Sequence, residues 1–189
     1  MSLDRRAVMA ELVRNAGGML VVAGLGSTTY DLGAAGDRAE NLYLWGAMGG
    51  AAMIGLGLAL AQPARRVLVA TGDGEALMGM GALATMASAG AANLAMVVLD
   101  NRRFGETGGQ ASHTGLGTDL CAVAAGCGWR ATARARTMAD VAALRPRLRA
   151  EALFAVVEIA GEEVERFLPQ RDGTWIARRL RGALGIAPD

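Results

Sequence analysis

The stretch RVLVATGDGE, residues 66–75, decides the fold. After Arg66 it runs through aliphatic and β-branched residues without a polar alternation and then stops at Gly72, the pattern of a short strand buried on both faces. Such strands belong to parallel sheets with helices packed on either side, since a half-solvated strand would alternate apolar with polar residues. Three further runs read the same way: MLVVAGLG from Met19, NLAMVVLDN over Asn93–Asn101 and LFAVVEIA over 153–160, with WRATARA at 129–135 as a weaker strand. Helices are expected between them, over Asp4–Asn15, within the apolar run 46–61, over Glu75–Ala89, from an N-cap at Asp119 to Gly126, and from Thr137 to about Ala150. The fold class is therefore α/β, a three-layer α/β/α arrangement around a parallel sheet. The whole chain, 1–189, reads as one domain with an amphipathic helical tail from about residue 161, on which Arg178, Arg179 and Arg181 are expected on a solvated face.

Composition narrows the function. The 189 residues carry 19 basic and 18 acidic side chains, a balance that argues against nucleic-acid or anionic-membrane binding, both of which need clustered positive charge. Every basic residue is arginine, which excludes chemistry resting on a lysine amine, such as an imine or a Walker A phosphate contact. One histidine, His113, excludes a multi-histidine metal centre. Cys121 and Cys127 are not spaced as a CxxC, so both read as small buried apolar residues. The run GAMGGAAMIGLGLALA, residues 46–61, is uncharged but shorter than the roughly 20 residues of a bilayer span, and is expected to be a helix buried on all sides. The charged start MSLDRRAVMAEL lacks the apolar core of a signal peptide, so a cytoplasmic protein is expected.

In an open parallel sheet, ligands sit outside the carboxyl ends of the strands, which draws attention to Gly72-Asp73-Gly74-Glu75 and to Asp100-Asn101-Arg102-Arg103. Glycines opening a helix let backbone N–H groups approach a phosphate. Asp73 is the anomaly there, because a carboxylate beside a phosphate repels it unless a divalent cation lies between them. Asn101 supplies an amide oxygen for such a cation. The 26 residues between Gly74 and Asn101 suffice for one helix and a return strand, which brings the two strand ends side by side. Neither GLGSTT at Gly24 nor GDGEAL at Gly72 completes the dinucleotide pattern G-x-G-x-x-G. The aperiodic, glycine-rich segment from Arg102 to Thr118 is a long loop of the kind that carries function, and it places His113 after Gly108-Gly109-Gln110. Each residue also has a plainer reading: Asp73 as a loop carboxylate, Asn101 as a turn residue, Met48 as core, Arg102 and Arg103 as solvated charge, and His113 as an exposed loop side chain.

The pattern GDG-x26-N resembles the diphosphate and Mg²⁺ signature of thiamine diphosphate-dependent enzymes. The resemblance extends upstream to Trp45-Gly46-Ala47-Met48-Gly49 and downstream through LDNRRFGETGGQASHTG, and covers roughly residues 18–160. Within that family the chain looks most like the β subunit of sulfopyruvate decarboxylase and the C-terminal half of phosphonopyruvate decarboxylase. The resemblance implies a thiamine diphosphate-binding fold and specific roles. Asp73, the Asn101 side chain and the main-chain oxygen of Arg103 would be Mg²⁺ ligands. The Gly72–Gly74 turn and the N–H groups of Gly74, Glu75 and Ala76 would cradle the diphosphate, with Gly26 and Ser27 approaching it from the first strand end. Gly46 would offer its carbonyl to the aminopyrimidine and Met48 would support the bent cofactor. His113 is the candidate for proton transfer or substrate contact.

The same resemblance implies decarboxylation of a small 2-oxoacid to an aldehyde and CO₂. It also implies a partner, because the glutamate that activates the cofactor in this family lies on a separate pyrimidine-binding domain, and this chain has room for the diphosphate half only. A pyrimidine-binding α subunit carrying that glutamate is expected, in a homodimer or heterotetramer, with an exposed apolar surface near Gly46–Met53 where it docks. The β subunit of a 2-oxoacid:ferredoxin oxidoreductase, whose TGGQ loop is similar, and a non-catalytic cofactor-binding subunit are the alternatives. Having only two cysteines counts against the former.

Overall fold

The computed structural model describes residues 2–161 and 164–186. Its centre is a six-stranded parallel sheet formed by β1 (Leu20–Ala23), β2 (Asn41–Tyr43), β3 (Val67–Gly72), β4 (Leu94–Asp100), β7 (Thr132–Ala135) and β8 (Leu153–Glu158), in the order β2-β1-β3-β4-β8-β7. The helices are α1 (Arg5–Val13), α2 (Ser27–Ala34), α3 (Ala51–Ala61), α4 (Asp73–Met78), α5 (Ala82–Ala89), α6 (Leu120–Gly126), α7 (Met138–Ala150) and α8 (Gly173–Ala183). The two remaining strands, β5 (Arg103–Phe104) and β6 (Gln110–Ala111), pair antiparallel as a small hairpin inside the loop expected to be irregular.

The apolar strands feed two cores at once, because successive side chains point to opposite faces. Val21, Leu68, Val97 and Ala155 face α1, α2 and α7. Leu20, Val69, Met96 and Phe154 face α3, α5 and α6. α8 sends Ile176 into the first cluster and Leu180 into the second, so it packs across the β2 edge and covers the strand that would otherwise leave its pairing groups open. Two helix starts follow the capping chemistry read from the sequence. Asp119 accepts from the N–H groups of Cys121 and Ala122, and Thr137 and Asp140 close a reciprocal capping box.

Four expectations are corrected. The apolar run 46–61 becomes helical only at Ala51, and α3 is not buried on all sides: Ala52, Leu56 and Ala59 pack on the sheet while Met53, Gly57 and Leu60 face outward. The helix expected over 75–89 is two, α4 and α5. The break lies at Gly79, which approaches Gly49 so closely that a Cβ there would collide with the Gly49 carbonyl. Cys121 and Cys127 are half-buried, with the Cys121 thiol donating to the Ala133 carbonyl at 3.3 Å. Arg179 is not solvated. It donates to Asp37 and to the Asn41 carbonyl and lies over the rings of Tyr43 and Trp175, whereas Arg178 is exposed.

Among the described residues no helix is long and apolar enough to cross a membrane.

Candidate active site

The chain passes from β1 to β2 on one side and then to β3 on the other, so the carboxyl ends of β1 and β3 bound the crevice where open parallel sheets bind ligands. β3 and β4 end level, with Gly72 opposite Leu99, and the next residues on each strand, Asp73 and Asp100-Asn101, therefore stand side by side. A cavity of about 640 Å³ opens here. Of the residues singled out from the sequence, Ser27, Met48, Gly72, Asp73, Gly74, Glu75, Asn101, Arg103 and His113 line it. Gly26, Gly46, Ala76 and Arg102 do not: Gly26 is buried in the turn after β1, Gly46 is exposed, Ala76 faces the core beneath α4, and Arg102 is exposed and pairs with Glu158 at 3.0 Å.

Asp73 is buried, and its neighbours are hydroxyl groups. Ser112 donates to its Oδ2, and Thr114 reaches the same oxygen at 3.3 Å and Asp100 Oδ1 at 2.8 Å. Burial pushes the Asp73 carboxyl above the ordinary carboxylate range and the nearby Asp100 pushes it further, while the Ser112 and Thr114 bonds pull it down. Among the described residues neither carboxylate is in an ion pair, an arrangement that disfavours charge unless a cation is added. The neighbouring Asn101 Oδ1 accepts from the Arg103 N–H at 2.9 Å, and an amide oxygen keeps a second lone pair for a further partner. Carboxylate, amide and backbone oxygens are the donors that a hard divalent cation takes. Among the described residues no three His, Cys, Asp or Glu side chains gather as a metal group, so a cation here would complete its shell with ligand oxygens. The donor set fits Mg²⁺ held jointly by protein and diphosphate.

The loop after β4 closes over this site. Phe104 lies against Gly74, where a Cβ would crowd its ring, and the Glu106 side chain sits on Gly26. His113 meets Phe104 edge to face, with ring centroids 5.7 Å apart, and is exposed on its outer side. The Arg103 guanidinium donates to the Gly109 carbonyl at 3.0 Å, which holds the hairpin together.

Several contributors were missed from the sequence. Ser112 and Thr114 flank His113, and their signal was available: two hydroxyls bracketing the loop histidine. Arg5 and Asp31 line the inner wall and pair at 3.4 Å, with Arg6 3.5 Å from the same carboxylate. Nothing in the local sequence announces that α1 and α2 meet there.

The model of the thiamine pyrophosphate enzyme family, C-terminal TPP binding domain, matches residues 37–159. Phosphonopyruvate decarboxylase of Streptomyces hygroscopicus is 45% identical over 121 residues, which are 64% of this chain and 30% of that protein. Sulfopyruvate decarboxylase subunit beta of Methanocaldococcus jannaschii is 39% identical over 122 residues, 64% of each chain. An X-ray structure of a Mycobacterium smegmatis protein, assigned as thiamin diphosphate-dependent, superposes with a TM-score of 0.71 at 25% identity, covering 86% of this chain and 32% of that one. The chain thus spans about a third of the first relative and just under two thirds of the second.

Proposed function

This chain belongs to the thiamine pyrophosphate enzymes through their cofactor-binding domain, and on that basis we propose that it is the diphosphate-binding β subunit of a Mg²⁺-dependent decarboxylase acting on a small 2-oxoacid of the sulfopyruvate or phosphonopyruvate kind. The observation that carries the reading is the meeting of Asp73, Asn101, the Gly72–Gly74 turn and Met48 on one cavity at the switch point of the sheet. Asp73, the Asn101 side chain and the Arg103 carbonyl hold the metal. The N–H groups of Gly74, Glu75 and Ala76 meet the diphosphate, joined by Gly26 and Ser27 from the first strand end. Gly46 would offer its carbonyl to the aminopyrimidine, and the flexible Met48 thioether would support the bent cofactor. When bound, thiamine diphosphate supplies the electron sink that lets the carboxyl group of a 2-oxoacid leave as CO₂. His113 stands at the cavity wall, where an imidazole nitrogen can carry the proton that the product needs.

The partner is part of the same proposal. Among the described residues the glutamates that line the cavity are Glu75, whose carboxylate is engaged by its own chain, and Glu106, which lies against Gly26; the reading takes the activating glutamate from a pyrimidine-binding α subunit. The expected apolar docking surface near Gly46–Met53 has support and extends further. Met53 and Leu60 on α3 are exposed, as are Met78 and Met80 at the end of α4, and the latter two also border the cavity. A homodimer or heterotetramer in a cytoplasmic setting completes the reading. The test is reconstitution. Decarboxylation of sulfopyruvate or phosphonopyruvate should be near zero for the purified chain and appear on adding its companion. Turnover by the chain alone, with no companion detectable by mass spectrometry, refutes the two-subunit reading.

A further inference from the structure

The Glu75 side chain has no part in the roles assigned so far, yet it is buried and fully engaged. Its Oε2 accepts from the Leu25 N–H at 3.0 Å and from the Thr71 hydroxyl at 2.9 Å. Its Oε1 accepts from the N–H groups of Gly49 at 3.3 Å and Ala51 at 3.2 Å. These donors come from three separate segments: the turn after β1, the end of β3, and the stretch that carries Met48 into α3. Helix α3 has no cap of its own, since its N-cap is Gly50, and the Glu75 carboxylate takes up the orphan N–H of its first residue from across the cleft. Gly24 completes the arrangement: a Cβ there would fall on Oε2, so the residue must be glycine for the carboxylate to reach Leu25.

We infer that Glu75 is a positioning residue that fixes the Met48 segment and the Leu25–Ser27 turn relative to the Gly72–Gly74 turn. The inference rests on the proposed cofactor reading for its functional consequence, but the latch itself is a property of this chain. A diphosphate bound at the glycine turn and a ring system supported at Met48 are parts of one covalently linked ligand, so the distance between their two holding segments sets affinity for the whole ligand more than for either part. One carboxylate spanning the gap supplies that distance. A glutamine cannot replace it, because its amide would turn an NH₂ group toward N–H donors and leave at least one of them unpaired.

The test uses Glu75→Gln and, independently, Gly24→Ala, which keeps the carboxylate but drives it from its place. Amide hydrogen exchange on the full chain should show Leu25, Gly49 and Ala51 exchanging at least tenfold faster in both variants, with Val97 and Val98 of β4 unchanged. With the companion present, calorimetry should show affinity for thiamine diphosphate with Mg²⁺ falling at least tenfold, and affinity for inorganic diphosphate with Mg²⁺ falling no more than threefold. Unchanged exchange at the three amides, acceleration of all amides together, or equal loss for both ligands would each overturn the inference. If Glu75→Gln fails to fold, Gly24→Ala alone decides it by the same readings. A wild-type protein that bound neither ligand would refute the cofactor reading, and the exchange pattern would still decide the latch.

Discussion

Ser112, wholly buried in the loop after β6, donates its hydroxyl to the Asp73 carboxylate at the carboxyl end of β3. The bond ties the loop that carries His113 to the proposed metal ligand, and Thr114 extends it to Asp100. A partner that orients a metal-binding carboxylate contributes to affinity without touching the metal, and losing one costs about 10–100-fold. Ser112→Ala is therefore expected to weaken Mg²⁺ binding in the presence of thiamine diphosphate by about tenfold, measured by Mg²⁺ titration of the assembled enzyme. Unchanged Mg²⁺ affinity would make the bond a loop anchor only.

Met48 lines the cavity and is half-buried. Met48→Ala is expected to lower kcat more than it lowers affinity for inorganic diphosphate, because the glycine turn that holds the phosphates is untouched. Met48→Leu, nearly volume-conserving, should be mild. Loss of stability with unaltered turnover per folded site would make Met48 a core residue.

Arg179 makes its bonds from a side chain only 14% exposed, to Asp37 Oδ2 and the Asn41 carbonyl, and so pins α8 to the edge strand. Arg179→Ala should destabilise the chain by about 1.5–3 kcal/mol, the range for hydrogen bonds involving a charged group. Arg178→Ala, at an exposed position on the same helix, should change little. Chemical denaturation of the two variants compares them directly.

Burial pushes the Asp31 carboxyl up to about 6 from an ordinary 3.8, outweighing the pull of Arg5 and Arg6, and Asp4 adds a small push in the same direction. The unfolded chain ionises Asp31 near the ordinary value while the folded chain still holds the proton, so the folded state binds more protons between about 4 and 6. Across that window the contribution of Asp31 to stability falls as pH rises, and it is level on either side. The difference in unfolding free energy between wild type and Asp31→Asn, measured against pH, should fall through the window. A flat difference would show that the two guanidiniums keep Asp31 ionised throughout.

What was legible in the sequence followed from continuity and spacing. The strand ends at Asp73 and Asn101 were readable because uninterrupted apolar runs mark buried strands, and the parallel register, Gly72 opposite Leu99, makes the interval between them a statement about adjacency. α2 was hidden because polar residues are buried in it. Thr28 and Thr29 turn their hydroxyls back to the Gly24 carbonyl and Asp31 is enclosed by α1, so no apolar stripe survives in STTYDLGA. β2, three residues long, carries too little pattern to register. The outward face of α3 was misread because it is as apolar as the inward one, and Arg179 because its acidic partner lies 142 residues away. Glu75 was legible as a position on the phosphate turn. Its side chain was not, since three of its four partners lie on segments distant in sequence.

In the proposed site Asp73 and Asn101 hold a divalent cation that binds the diphosphate of thiamine diphosphate to this chain. Isothermal calorimetry of thiamine diphosphate binding to the assembled protein, with and without Mg²⁺, in wild type, Asp73→Ala and Asn101→Ala, tests this arrangement. Circular dichroism shows whether each variant keeps its fold. Mg²⁺-dependent binding is expected in the wild type, with its loss in both folded variants. Equal affinity in wild type and Asp73→Ala, or binding indifferent to Mg²⁺, would contradict it.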